Sequence, residues 1–124
     1  LFEWCVVSHV LIIEDEPFVA MLIEDVLRAQ GACTVDIAAS QSEAVDAALA
    51  HRPDLITSDV CLADGRGPIA VRTIHDKLGP IPVIFITGTP EECDPCDPED
   101  IILSKPLDHV AIATAFRHFT RQPQ

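Results

Sequence analysis

The sequence predicts an α/β domain built on an open, five-stranded parallel sheet with helices on both faces. Three observations lead there. Apolar runs of strand length alternate with segments of helical periodicity along almost the whole 124-residue chain. One run, Ile81 to Ile86, is almost wholly apolar, as expected of a strand covered on both faces. Several runs also end abruptly in ionisable or hydroxyl residues: Val10–Ile13 meets Glu14, Asp15 and Glu16 without a spacer. Burying adjacent acids is costly because like charges resist ionising together. A buried strand whose end opens onto a polar mouth satisfies both halves of that pattern.

The elements follow in order. "VLIIED" reads as the first strand. Pro17 suits a first helical position, where its missing N–H costs nothing. Val19, Leu22, Ile23, Val26 and Leu27 recur at helical spacing up to Gly31, which supplies the stop. "CTVDIAA" is the second strand, and Ser40 with Glu43 has capping-box spacing for a helix whose apolar face is Val45, Ala48 and Leu49. Pro53 ends that helix. "DLITSD" is a third strand finishing in Asp59. After the loop "VCLADGRG", Pro68 opens a helix with Val71, Ile74 and Leu78 on one face, stopped by Gly79-Pro80. "IPVIFITG" is the fourth strand and "DIILSKP" a short fifth. Asp108 can cap a last helix carrying Ile112, Ala113, Phe116 and Phe119. Between the last two strands, "TPEECDPCDPED" has little helical pattern, so a fourth helix there is short or irregular.

One domain, residues 9–121, accounts for this pattern, with residues 1–8 as an N-terminal arm or the remnant of an upstream segment and 122–124 as a tail. Hydrophobic residues make up 48% of the chain, enough for a core. Eight basic residues against twenty acidic give a net charge of −12 with no basic stripe, which excludes direct nucleic-acid or anionic-membrane binding by this domain. Cations and basic protein surfaces are the expected partners. The apolar runs fall far short of the roughly 18 residues of a membrane span. Five cysteines in a chain with a full core do not suggest a disulfide scaffold, and the expected setting is reducing and cytoplasmic.

In an open parallel sheet, ligands bind beyond the carboxyl ends of the strands, where strand order reverses. Those ends carry Glu14 and Asp15, Asp59, Thr87 and Lys105. Any one alone reads most simply as a solvated loop residue. Together their chemistry cooperates. Clustered carboxylates suit a hard divalent cation such as Mg²⁺, which keeps waters and leaves room for phosphate oxygens. Asp59 is then a candidate nucleophile toward a phosphoryl group, with Lys105 neutralising charge and Thr87 donating a hydrogen bond.

With "IIEDE", "DLITSDV", "VIFITG" and "LSKP" in this order and strand context, the chain resembles the receiver domains of two-component response regulators over roughly residues 9–120. The resemblance implies a flavodoxin-like sheet of order 2-1-3-4-5. It implies that Asp59 accepts phosphate from a sensor histidine kinase or histidine phosphotransfer protein. Asp15 and Asp59 then bind Mg²⁺, with the backbone carbonyl of Cys61 and, through water, Glu14. Thr87 and Lys105 contact the phosphoryl group, and the Lys105–Pro106 peptide is cis. A downstream protein effector reads the switch, and a homodimer is compatible with it. Activity beyond slow self-phosphorylation from small phosphodonors and autodephosphorylation is not implied. "VCLADGRGPIAV", "VIFITGTPE" and "SKP" further resemble receivers of alphaproteobacterial general-stress regulators, in which a receiver is joined to a sigma-factor-like domain. The chain departs from the common pattern at Ala63, where proline is usual, at Ile102, where the switch aromatic usually stands, and in the weak fourth helix.

Competing readings are a Mg²⁺-dependent phosphatase with an aspartyl-phosphate intermediate and a phosphate-independent interaction module. The phosphatase lacks its usual second acid: Cys61 stands two residues after Asp59. "CDPC", Cys93 to Cys96, has redox or metal-ligand spacing, but with no second ligand pair nearby it reads as two loop thiols. The histidines are scattered. His51, His75, His109 and His118 read as solvated helix faces, His9 as preceding the first strand, and none has a ligand partner close in sequence.

Overall fold

A computed structural model describes residues 6–120. In chain order it comprises β1 (Val7–Ile13), α1 (Pro17–Ala29), β2 (Ala32–Ala38), α2 (Gln41–Ala50), β3 (Leu55–Ser58), α3 (Gly67–Leu78), β4 (Val83–Thr87), a single 3₁₀ turn (Pro90–Glu92), β5 (Ile101–Ser104) and α4 (His109–Thr120). The five strands form one sheet of order β2-β1-β3-β4-β5, and every pairing is parallel. The parallel pairing is what the strand and helix alternation implies, and the flavodoxin-like strand order is what the resemblance to receiver domains implies. The weakly patterned segment before β5 holds only the 3₁₀ turn, as its lack of periodicity predicts. β1 starts at Val7, inside the stretch assigned to an N-terminal arm; the first five residues of that arm lie outside the described residues.

Two apolar layers sandwich the sheet. Val10, Ile12, Leu55, Ile84 and Ile86 pack with Ile23 and Leu27 of α1 and Ile112 and Phe116 of α4. Leu11, Ile13, Ile56, Val83 and Phe85 pack with Ala44 and Ala48 of α2 and Val71 and Ile74 of α3. β4 is buried at every residue, whereas edge strand β5 alternates between half-buried and exposed. Two apolar assignments need correction. Leu22 and Leu49 are 44% and 47% exposed, and Ala20 and Ala44 occupy the buried positions instead. Small side chains let a helix approach the sheet closely, so the larger leucines are left at the rim.

The predicted caps form. The Ser40 hydroxyl accepts from the Glu43 N–H at 3.2 Å, and the Glu43 carboxylate reaches back to the Ala39 N–H at 3.1 Å, one residue further out than in the simplest capping box. Asp108 Oδ1 accepts from the N–H groups of Val110 and Ala111. Ser40→Ala is therefore expected to lower stability by about 1 kcal/mol, readable as a lower urea midpoint at unchanged slope. Lys105–Pro106 is cis, as the resemblance implies, and so is Asp94–Pro95.

Candidate functional site

The sheet order places β1 between β2 and β3, so the direction in which successive strands are added reverses across the β1–β3 boundary, while the strands themselves stay parallel. The ladder continues one residue past each strand there: Glu14 N–H donates to Ala38 O, and Asp59 N–H donates to Ile13 O, both at 2.9 Å. These bonds fix the backbones of Glu14 and Asp59 side by side at the carboxyl edge. Glu14, Asp15 and Asp59 each present a carboxylate oxygen, and the three oxygens lie within 4.8 Å of one another. Lys105, delivered from the far side by β5, donates to Asp59 Oδ2 at 2.9 Å and to Glu14 Oε1 at 3.3 Å. Backbone donors hold three further oxygens: Val60 N–H to Asp59 Oδ1 (2.7 Å), Glu16 N–H to Glu14 Oε2 (3.2 Å) and Ala63 N–H to Asp15 Oδ2 (2.6 Å).

The structure thus gathers Glu14, Asp15, Asp59 and Lys105 into one cluster. Thr87 lies at the same edge, fully buried, with its carbonyl accepting from the Lys105 N–H at 2.8 Å. Its hydroxyl accepts from the Thr89 N–H at 3.0 Å and lies 3.2 Å from the Thr89 hydroxyl. The exposed Cys61 thiol lies 3.6 Å from the Thr89 hydroxyl and 3.5 Å from Glu92 Oε1, out on the rim. Ile102 is 40% exposed on β5.

Two features were not read from the sequence. Gly67 opens α3 against the Asp59 backbone: a β-carbon there would overlap the Asp59 carbonyl oxygen and crowd the Ser58 hydroxyl, which itself donates to that carbonyl at 2.7 Å. The "GRG" triplet offered a signal, but close approach to Asp59 is visible only in three dimensions. Second, Cys93 and Cys96 form a disulfide, correcting their reading as two loop thiols. Both half-buried sulfur-bearing residues pack against the α2–α3 layer, and Arg66 Nη2 donates to the carbonyls of Glu92 (2.7 Å) and Asp94 (3.4 Å) on either side of Cys93.

The electrostatics follow from crowding. Burial pushes the Glu14 carboxyl up to about 7; the Lys105 charge pulls it down and the Asp59 charge raises it further. Burial alone would lower Lys105, but its bond to Asp59 and the charges of Glu14 and Asp59 outweigh that and raise it. Lys105 bonds two of the three clustered carboxylates, Glu14 and Asp59, which leaves an excess of negative charge on hard oxygen donors that suits a small divalent cation. In cation-free protein the raised Glu14 pKa has a definite consequence. Below the unfolded value of 4.5 both states hold the proton, so the penalty is absent; it grows as pH rises and is complete above about 7. Stability in EDTA is expected to fall between pH 5 and 7.5 by an amount that Glu14→Gln removes, measured as the difference between their urea midpoints at each pH.

A pocket of acids and one lysine at the switch point of a 2-1-3-4-5 sheet defines a receiver-type α/β domain. The family model for the response regulator receiver domain matches residues 10–117, and the chain belongs to that family. It is 40% identical over 85 residues to the phyllosphere-induced regulator PhyR of Methylorubrum extorquens, an overlap covering 68% of this chain and 32% of that protein. The chain therefore spans only about a third of that relative's length. Among solved structures it is similar to the PhyR receiver domain of Erythrobacter litoralis (TM-score 0.77, 30% identity, 94% and 95% of the two chains covered). It is also similar to a variant of the anti-anti-sigma factor PhyR of Bartonella quintana (TM-score 0.75, 37% identity, 90% and 48% covered). The chain is a PhyR-like receiver, a phosphoaccepting signalling switch of the two-component type.

Proposed function

We propose that Asp59 is the phosphoacceptor, that Mg²⁺ is held by Asp15, Asp59 and the Cys61 carbonyl with Glu14 acting through water, and that Thr87 and Lys105 contact the phosphoryl group. The observation that carries this reading is the convergence of Glu14, Asp15, Asp59 and Lys105 from three strands. An Asp59 carboxylate oxygen attacks phosphorus, a P–O bond forms, and the bond to the donor breaks. That bond is P–N in a phosphohistidine, and the imidazole leaves with the electron pair. Mg²⁺ supplies neutralisation of the phosphoryl oxygens. Val60 N–H and Lys105 hold the Asp59 carboxylate in place. Lys105 then meets the charge added at Asp59 without leaving the cluster.

The donor is a sensor histidine kinase or histidine phosphotransfer protein. Phe18, Met21 and Leu22, at i, i+3 and i+4 spacing on α1 just beyond Asp15 and Glu16, are 80%, 55% and 44% exposed and give such a partner an apolar seat next to the site. The effector is a protein, and the PhyR likeness favours an anti-sigma factor bound by a longer chain of which this receiver is the input. No helix among the described residues is long and apolar enough to cross a membrane, and a cytoplasmic setting fits such an input.

Treatment with acetyl phosphate tests the reading: one phosphoryl per chain is expected with Mg²⁺ and none with EDTA, and equal labelling in both would overturn it. Turnover of a small phosphate ester would instead favour the phosphatase reading. With Ile102 in the place of the usual switch aromatic, the readout passes through residues 89–100, where Thr89 joins Thr87 to the 3₁₀ turn. Amide exchange in that segment is expected to slow when a phosphoryl mimic and Mg²⁺ are added; unchanged protection contradicts this.

A further inference from the structure

A second cluster lies on the same sheet, centred on His9, roughly 16 Å along β1 from Glu14 at ~3.3 Å per residue. The sequence reading set His9 before the first strand and gave the histidines no ligand partners. The structure instead buries His9 within β1 at 2% exposure. Its Nε2 lies 3.1 Å from Asp36 Oδ2 on β2, and its Nδ1 lies 2.7 Å from the Thr34 hydroxyl. His51, just past α2, stacks on it with ring centroids 3.5 Å apart and planes 11° from parallel. One ligand atom from each of His9, Asp36 and His51 falls within 4.8 Å of the others.

The hydrogen bonds fix which nitrogen of His9 is free. The Thr34 hydroxyl has one proton and donates it to the Ser8 carbonyl at 2.9 Å. It therefore accepts from His9, which puts the proton of the neutral ring on Nδ1. The Nε2 lone pair is left facing a carboxylate oxygen at hydrogen-bond distance. Two acceptors so close require a positive centre beside them, either a second ring proton or a metal ion. A histidine that donates Nδ1–H to a fixed acceptor while directing Nε2 at a carboxylate has the supporting bond typical of a metal ligand, and a second imidazole stacks on its face.

We propose that His9 Nε2, Asp36 and His51 form a binding site for a borderline divalent transition metal of the zinc class, with solvent completing the tetrahedron. Two imidazoles and a carboxylate suit that class, whereas Mg²⁺ prefers the all-oxygen set at Glu14, Asp15 and Asp59. Lone pairs of parallel rings do not converge, so the exposed His51 ring turns off the stack to bind. The bound ion ties edge strand β2 and the end of α2 to β1, far from the phosphoryl pocket.

The test is a Zn²⁺ titration of the full chain in saturating Mg²⁺, followed by calorimetry and by the ring ¹⁵N shifts of the histidines. One site is expected to move the His9 and His51 rings together. His51→Ala and Asp36→Asn, both at positions where the fold leaves the side chain accessible, should each weaken binding at least tenfold, and Cys61→Ser should not. Ring shifts unmoved by Zn²⁺, a His9 ring doubly protonated at neutral pH in the presence of Zn²⁺, or affinity unchanged in both variants would overturn the proposal.

Discussion

Lys105→Met is expected to slow the proposed phosphoryl uptake by Asp59 from a small phosphodonor by about 100- to 1000-fold, the effect of deleting one preorganised charge that meets a developing phosphoryl charge. The expectation rests on position. Lys105 is the ammonium bonded to both Glu14 and Asp59, and its side chain is only 19% exposed, so bulk water cannot substitute for it. Its removal also leaves Glu14 and Asp59 facing each other without their shared cation, which drives the Glu14 carboxyl higher still. The rate of appearance of singly phosphorylated chain under saturating Mg²⁺ measures the effect. A rate within a few-fold of the native one would show that Lys105 serves the fold and not the transfer.

Phe116→Ala is expected to cost about 3–5 kcal/mol, a large share of the roughly 5–15 kcal/mol that holds a domain of this size together. Phe116 is fully buried where α4 meets α1 and the sheet, among Ile23, Leu27, Ile84 and Ile112. Small neighbours such as Ala113 and Ala115 cannot expand to fill the space it leaves. Phe119, one turn on, is only partly buried against the same layer, so Phe119→Ala should cost clearly less. Urea midpoints of the two variants give the comparison. Equal losses would mean that α4 is rotated from the orientation described.

The strand ends were legible because burial and chemistry change there within one residue. Val10–Ile13 is covered on both faces, and Glu14 and Asp15 begin where the covering helices stop. The same logic exposed Asp59, Thr87 and Lys105. Helix faces were read less well where volume overrides hydrophobicity, as at Ala20 against Leu22 and Ala44 against Leu49. The His9–Asp36–His51 cluster was not legible at all. His9 meets Thr34 and Asp36 only through the register of β1 against β2, which places His9 opposite Thr34 and Leu11 opposite Asp36. His51 arrives from the end of a helix 42 positions further along. Nothing local in the sequence encodes those distances. The Cys93–Cys96 disulfide was visible as a spacing, but its formation depends on a turn with no helical pattern to read.

In the proposed mechanism Asp59 is the single residue that takes up phosphorus. Intact-mass measurement after incubation with acetyl phosphate and Mg²⁺, made side by side on the native chain and on Asp59→Asn, tests it most directly. The account predicts one added phosphoryl group on the native chain and none on the variant. Equal labelling of both, or none on a folded, Mg²⁺-binding native chain, would contradict it.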